Sequence, residues 1–117
     1  MDEKPPIKQQ VHAKRKLIVK SQYNKSLLKI LDIGAELFGN KVACSFAEEA
    51  TQRIMMLPLM PDANPKNRFM QSYPTETYRN IIIKNYIIIY CVKPSEIIVL
   101  DIVHQSINPE SFSLIKI

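Results

Sequence analysis

Residues Tyr78–His104 read YRNIIIKNYIIIYCVKPSEIIVLDIVH. Three β-branched and aromatic runs, Tyr78–Lys84, Tyr86–Val92 and Ile97–His104, are separated by Lys84-Asn85 and by Lys93-Pro94-Ser95-Glu96. Runs this rich in Ile, Val and Tyr favour the extended chain, and connections this short leave only hairpins between them. The stretch therefore predicts a three-stranded antiparallel meander.

Pairing Ile83 with Tyr86 and Val92 with Ile97 assigns every side chain to a face, because strand side chains alternate. One face collects Tyr78, Asn80, Ile82, Ile87, Ile89, Cys91, Ile98, Leu100, Ile102 and His104. It is almost wholly apolar and is expected to pack on helices. The other holds Arg79, Ile81, Ile83, Tyr86, Ile88, Tyr90, Val92, Ile97, Val99, Asp101 and Val103. An antiparallel sheet with one wet side should alternate apolar with polar, and this second face does not. Three covers are open to it: the loop that precedes the meander, a second copy of the chain, or a partner segment. The reading favours a partner or a homodimer, with Ile81, Ile83, Tyr86, Ile88, Tyr90, Val99 and Asp101 as partner-binding residues.

Upstream, Lys16-Leu17-Ile18-Val19-Lys20 is a short β-prone run, expected as a strand over 14–20. Ser21 offers an N-cap. Tyr23, Leu27, Ile30, Leu31, Gly34 and Phe38 then recur with the period of one helix face. Gly39-Asn40 stops that helix, and Asn40 can cap the next. Ala43, Phe46, Ala47, Ala50, Ile54 and Leu57 mark the buried stripe of the second helix, which Pro58 ends. So short a link makes the helices antiparallel neighbours. Residues 58–76, with four prolines, read as a long loop wrapped over the domain and anchored by Phe69 and Met70. The fold class is thus α+β: a strand, a helical hairpin, then the meander. Residues 1–13 read as a flexible basic arm, and 14–117 as one domain.

Length and composition fit a single globular domain: 117 residues, 46% apolar and 23% charged. No apolar run approaches the roughly 18 residues that a membrane span needs, and the N-terminus lacks the apolar stretch of a signal peptide. A cytoplasmic protein with no membrane contact is expected. Cys44 and Cys91 read as separate buried apolar residues rather than a disulfide. With His12 and His104 far from them in sequence, no metal or other cofactor is expected. The net charge of +5 is unevenly placed. Residues 1–30 hold eight Lys/Arg against Asp2 and Glu3, an excess of +6, whereas the remainder holds eight basic and nine acidic residues, or −1. A basic-armed module whose residues 4–20 dock on nucleic acid is therefore one functional reading.

The order of elements, with Tyr78-Arg79 opening a strand, Asn85-Tyr86-Ile87-Ile88-Ile89-Tyr90 forming the next and Ile97–His104 followed by Asn108-Pro109-Glu110, resembles the RelE/ParE superfamily of bacterial toxins. The likeness spans about residues 14–112. It implies a toxin held inactive by a cognate antitoxin, and either a ribosome-dependent mRNA endonuclease or a gyrase-directed poison without nuclease activity. RNA cleavage needs cations around a phosphate and a group to move the 2′-hydroxyl proton. The catalytic candidates are Arg79, Lys84 and His104, with Tyr90 or Phe112 nearby in pattern. Ser106 and Ile107 stand where related sequences often carry an arginine, and Ile87 is aliphatic where nucleases can be basic. These departures favour a protein target. A degenerate toxin that keeps only the antitoxin-binding fold is the remaining alternative.

Overall fold

The computed structural model describes residues 15–115, so the expected arm over 1–13, with His12, lies outside the described residues. The order of elements is the one expected: β1 (Lys16–Val19), α1 (Ser21–Phe38), α2 (Asn40–Met55), β2 (Thr77–Ile83), β3 (Tyr86–Val92) and β4 (Glu96–His104). A 3-10 helix over Pro109–Leu114 follows, with Asn108 Oδ1 accepting from the Glu110 N–H at its start. The sheet runs β1-β4-β3-β2, with β1 parallel to β4 and the other neighbours antiparallel.

Helix caps differ by one residue from expectation. Lys20 is the N-cap of α1, and Ser21 is already helical. Gly39 both ends α1 and caps α2, with φ 96° and ψ 160°, a backbone region open in practice only to glycine. Its N–H donates to Ala35 O, and its carbonyl accepts from the Ala43 N–H. This single residue turns the chain, and Asn40 makes no cap.

Both expected hairpin pairings are present: Ile83 opposite Tyr86 and Val92 opposite Ile97. The assignment of faces needs two corrections. First, the helices cover the other face. Ile81, Ile83, Ile88, Tyr90, Val92, Ile97 and Val99 form one core with Tyr23, Phe46, Ala50, Ile54 and Leu57, so five of the seven residues expected to meet a partner are buried beneath the chain's own hairpin. The physical reason lies in topology. β1 and β2 run in the same direction, and the helical hairpin is the crossover between them; the hand of that crossover selects the face, and no residue pattern encodes it.

Second, β4 carries a bulge. Tyr90 pairs with Val99 but Ile89 with Asp101, leaving Leu100 as the extra residue. Asp101 thus lies opposite Ile89, whereas unbroken alternation from the Val92–Ile97 pair would place it opposite Ile88. The slip transfers Ile102 to the helix side, and His104 comes to pair with Tyr86.

The opposite face is covered by the chain as well. Ile89, Cys91, Ile98, Leu100 and Phe112 form a second cluster, packed by Met70, Ile107 and Ile115. Phe69 stacks on Phe112 at 5.5 Å. Each buried Ile or Phe contributes about 1.5–3 kcal/mol, enough to hold a short C-terminal segment against the sheet. The cover is therefore the C-terminal segment with part of the loop, rather than a partner.

Within the loop, Asn67 is the buried polar residue. Its Oδ1 accepts from the Phe69 and Met70 N–H groups, and its Nδ2 donates to Asn80 Oδ1. Cys91 is buried and Cys44 exposed, both as free thiols. The expectation of a buried Cys44 fails because it faces solvent, away from the Ala43–Phe46–Ala50 stripe.

Candidate functional site

The hairpin outgrows the sheet. The last turn of α1 and the first of α2 carry large apolar side chains with no sheet beneath them: Leu37 is 68% and Phe38 69% exposed, with Ile33 and Val42 beside them. Phe38, expected in the buried stripe, continues that stripe past the end of its support. Between this overhang and the end of the sheet lies a groove of about 460 Å³. Its walls are Ile30, Ile33 and Leu37 of α1, Val42 and Phe46 of α2, and Lys84, Asn85, Tyr86 and His104 at the sheet's end. The periodicity passes over Ile33 and Leu37, although two apolar residues outside the buried stripe are the available signal.

Two catalytic candidates meet here. His104 sits across β3–β4 from Tyr86, its ring edge-on at 5.3 Å, and Tyr86 in turn meets Phe46 at 5.4 Å. His104 Nδ1 lies 2.8 Å from Ser106 Oγ and accepts from the Ser106 N–H at 3.1 Å, which leaves Nε2 to carry the proton of the neutral ring. Lys84 occupies the β2–β3 turn with φ 51°, a left-handed conformation costly for any residue with a Cβ. The aromatic column Phe46–Tyr86–His104 gives this end of the groove an apolar floor with one ring N–H and one ammonium at its rim.

Arg79 is elsewhere. It pairs with Tyr90, four residues along β2 from Ile83, or about 13 Å at strand rise. Its side chain is 15% exposed: Nη1 donates to Asn64 O at 2.6 Å, and Nε lies 3.6 Å from Asp62 Oδ1 without a hydrogen bond. Tyr90 donates its hydroxyl to Pro61 O and accepts from Asn64 Nδ2, and burial pushes its pKa up. Arg53 reaches Ile82 O and Asn64 Oδ1. Arg53, Asn64, Arg79 and Tyr90 thus clip the 58–66 stretch to β2 and β3. Phe112 packs under the opposite face, in the second cluster rather than near either site.

Of the residues expected to bind a partner, Tyr86 borders the groove. Asp101 accepts from Ser26 Oγ at 2.6 Å and from the Ile102 N–H, tying α1 to the bulge. Among the described residues no group of three His, Cys, Asp or Glu is placed to hold a metal, and no helix is long and apolar enough to cross a membrane.

Residues 17–109 match the family model of the ParE toxin of the type II toxin-antitoxin system parDE. Among solved structures, the chain is similar to one of a chromosomal ParDE TA system from P. aeruginosa, with a TM-score of 0.63 and 17% identity. The match covers 79% of this chain and 97% of that one. At that identity the likeness is one of fold. No curated protein sequence matches the chain.

Proposed function

Because the chain belongs to the ParE toxin family of type II toxin–antitoxin systems, we propose that it is held inactive by a cognate antitoxin and that, when free, it acts by binding a protein target of the gyrase class rather than by cutting RNA. The observation that carries the choice of target is the separation of Arg79 from Lys84 and His104. Phosphodiester cleavage draws several positive groups onto one oxyanion. Here the Arg79 guanidinium is committed to the Asn64 carbonyl, at the other end of β2 from Lys84 and His104. The pair that remains borders an apolar groove, which suits a side chain of a protein better than a phosphate. The same groove, with Leu37 and Phe38 exposed at its lip, is the antitoxin's docking place in this reading.

The test is direct. Purified chain should inhibit supercoiling by gyrase and leave ribosome-bound mRNA intact, with antitoxin restoring the supercoiling. Cleavage of ribosomal mRNA that disappears in His104→Ala would instead establish the nuclease. Growth unimpaired on expression without antitoxin would indicate a toxin that has lost its action. Leu37→Glu/Phe38→Glu should fold normally and escape the antitoxin.

A further inference from the structure

We propose that the β1–α1 edge of the molecule is a contact surface for the phosphate backbone of duplex DNA. Lys16 lies on the edge strand, Lys20 joins it to α1, and Lys25 and Lys29 follow one helical turn apart on the solvent side of α1. Lys16, Lys25 and Lys29 are exposed. Lys20 lines a shallow depression with Gln22, Asp101 and Ser111. None of the four has a carboxylate within ion-pair distance among the described residues, although Glu96 stands beside Lys16 in register.

An ordinary solvated face interleaves both signs. This one does not until Asp32 and Glu36, in the second half of α1. Asp101 is the acid nearest the middle, and its carboxylate is engaged by Ser26 and its own strand. The excess of +6 in residues 1–30 therefore has a place in the fold: the described part of it lies on β1, on its link to α1 and on the first half of α1.

The side chains present choose among polyanions. Protein interfaces are built on aromatic anchors and are depleted in lysine, so an acidic protein is a poor match. Single-stranded nucleic acid is gripped by stacking its bases on aromatic rings. The edge presents no ring to stack on, since Tyr23, the aromatic residue of this stretch, is buried. Duplex phosphates ask only for cations and hydrogen-bonding groups, which the exposed Ser21, Gln22 and Asn24 add to the lysines.

The experiment titrates the full chain against a duplex of about 20 base pairs by fluorescence anisotropy, from about 50 to 200 mM salt. Lys20→Gln/Lys25→Gln/Lys29→Gln is compared with Lys41→Gln/Lys66→Gln/Arg68→Gln. Each triple removes three charges from the net +5, leaving +2. The edge variant should weaken binding at low salt by about tenfold or more. It should also flatten the salt slope by about 3, near 0.9 for each phosphate no longer neutralised, while the control triple keeps both. Equal weakening by the two triples would reduce the effect to net charge and overturn the assignment. So would tighter binding to single-stranded RNA or to a polyglutamate peptide. None of these readouts involves the protein target proposed above, so the two readings fail separately.

Discussion

At the residue scale, Arg79 is held in structural contacts, while Lys84 sits on a left-handed turn. Arg79 stands out in the sequence because a lone arginine on an apolar sheet face is costly unless it has a partner. The pattern does not show that the partner is the loop 15 residues upstream, whose Asn64 carbonyl it holds at 2.6 Å. Arg79→Ala leaves that carbonyl without its charged donor and should cost about 1–3 kcal/mol in urea unfolding. Any loss of toxicity should then track stability rather than chemistry. Lys84 sits in a backbone region that suits glycine. Lys84→Gly relieves the left-handed strain at some cost in unfolded-chain entropy, for a net gain of roughly 0.5 kcal/mol measured the same way. Because it also deletes the ammonium, this variant separates the two mechanisms: growth arrest persists if the toxin works by docking and is lost if Lys84 neutralises a phosphate.

Among elements, the strands and both helices are legible because their periods are unambiguous. Tyr23, Phe46, Ala50 and Ile54 are buried where the 3.6-residue stripe puts them. The meander register follows simple alternation as far as the bulge. Beyond that point alternation is no guide, since one extra residue at Leu100 reverses every later side chain, and nothing in Ile-Ile-Val-Leu-Asp-Ile-Val marks the slip. The choice of face escapes for a different reason: both faces are equally apolar, so burial alone is satisfied either way. The cover of the face opposite the helices is also illegible. A six-residue 3-10 helix has no strong period, and Phe112 looks like a tail residue rather than the plug of a core. Phe112→Ala should therefore destabilise the chain by about 3–5 kcal/mol and expose Ile89, Cys91, Ile98 and Leu100, read as a rise in binding of an apolar dye.

For the whole molecule, burial leaves a signature at alkaline pH. Desolvation pushes the Tyr23 and Tyr78 hydroxyls up to about 12 and the Cys91 thiol up to about 11, with Tyr90 raised for the same reason. An unfolded chain ionises these groups near their ordinary values of 9 for Cys and 10 for Tyr, so the folded chain binds more protons above that point. Stability should then be insensitive to these groups below pH 9 and fall as the pH rises from 9 towards 12, Cys91 responding first; a series of urea titrations at rising pH checks it. Charge asymmetry is fully legible at this scale, since it is a count along the chain. The groove is not, because it exists only where two helices overrun a sheet whose length the sequence does not state in relation to theirs. Closure of both sheet faces from within has one more consequence. A partner bound at the surface would supply no side chain to either core, so the urea midpoint of the chain alone should already report the full packing of both sheet faces.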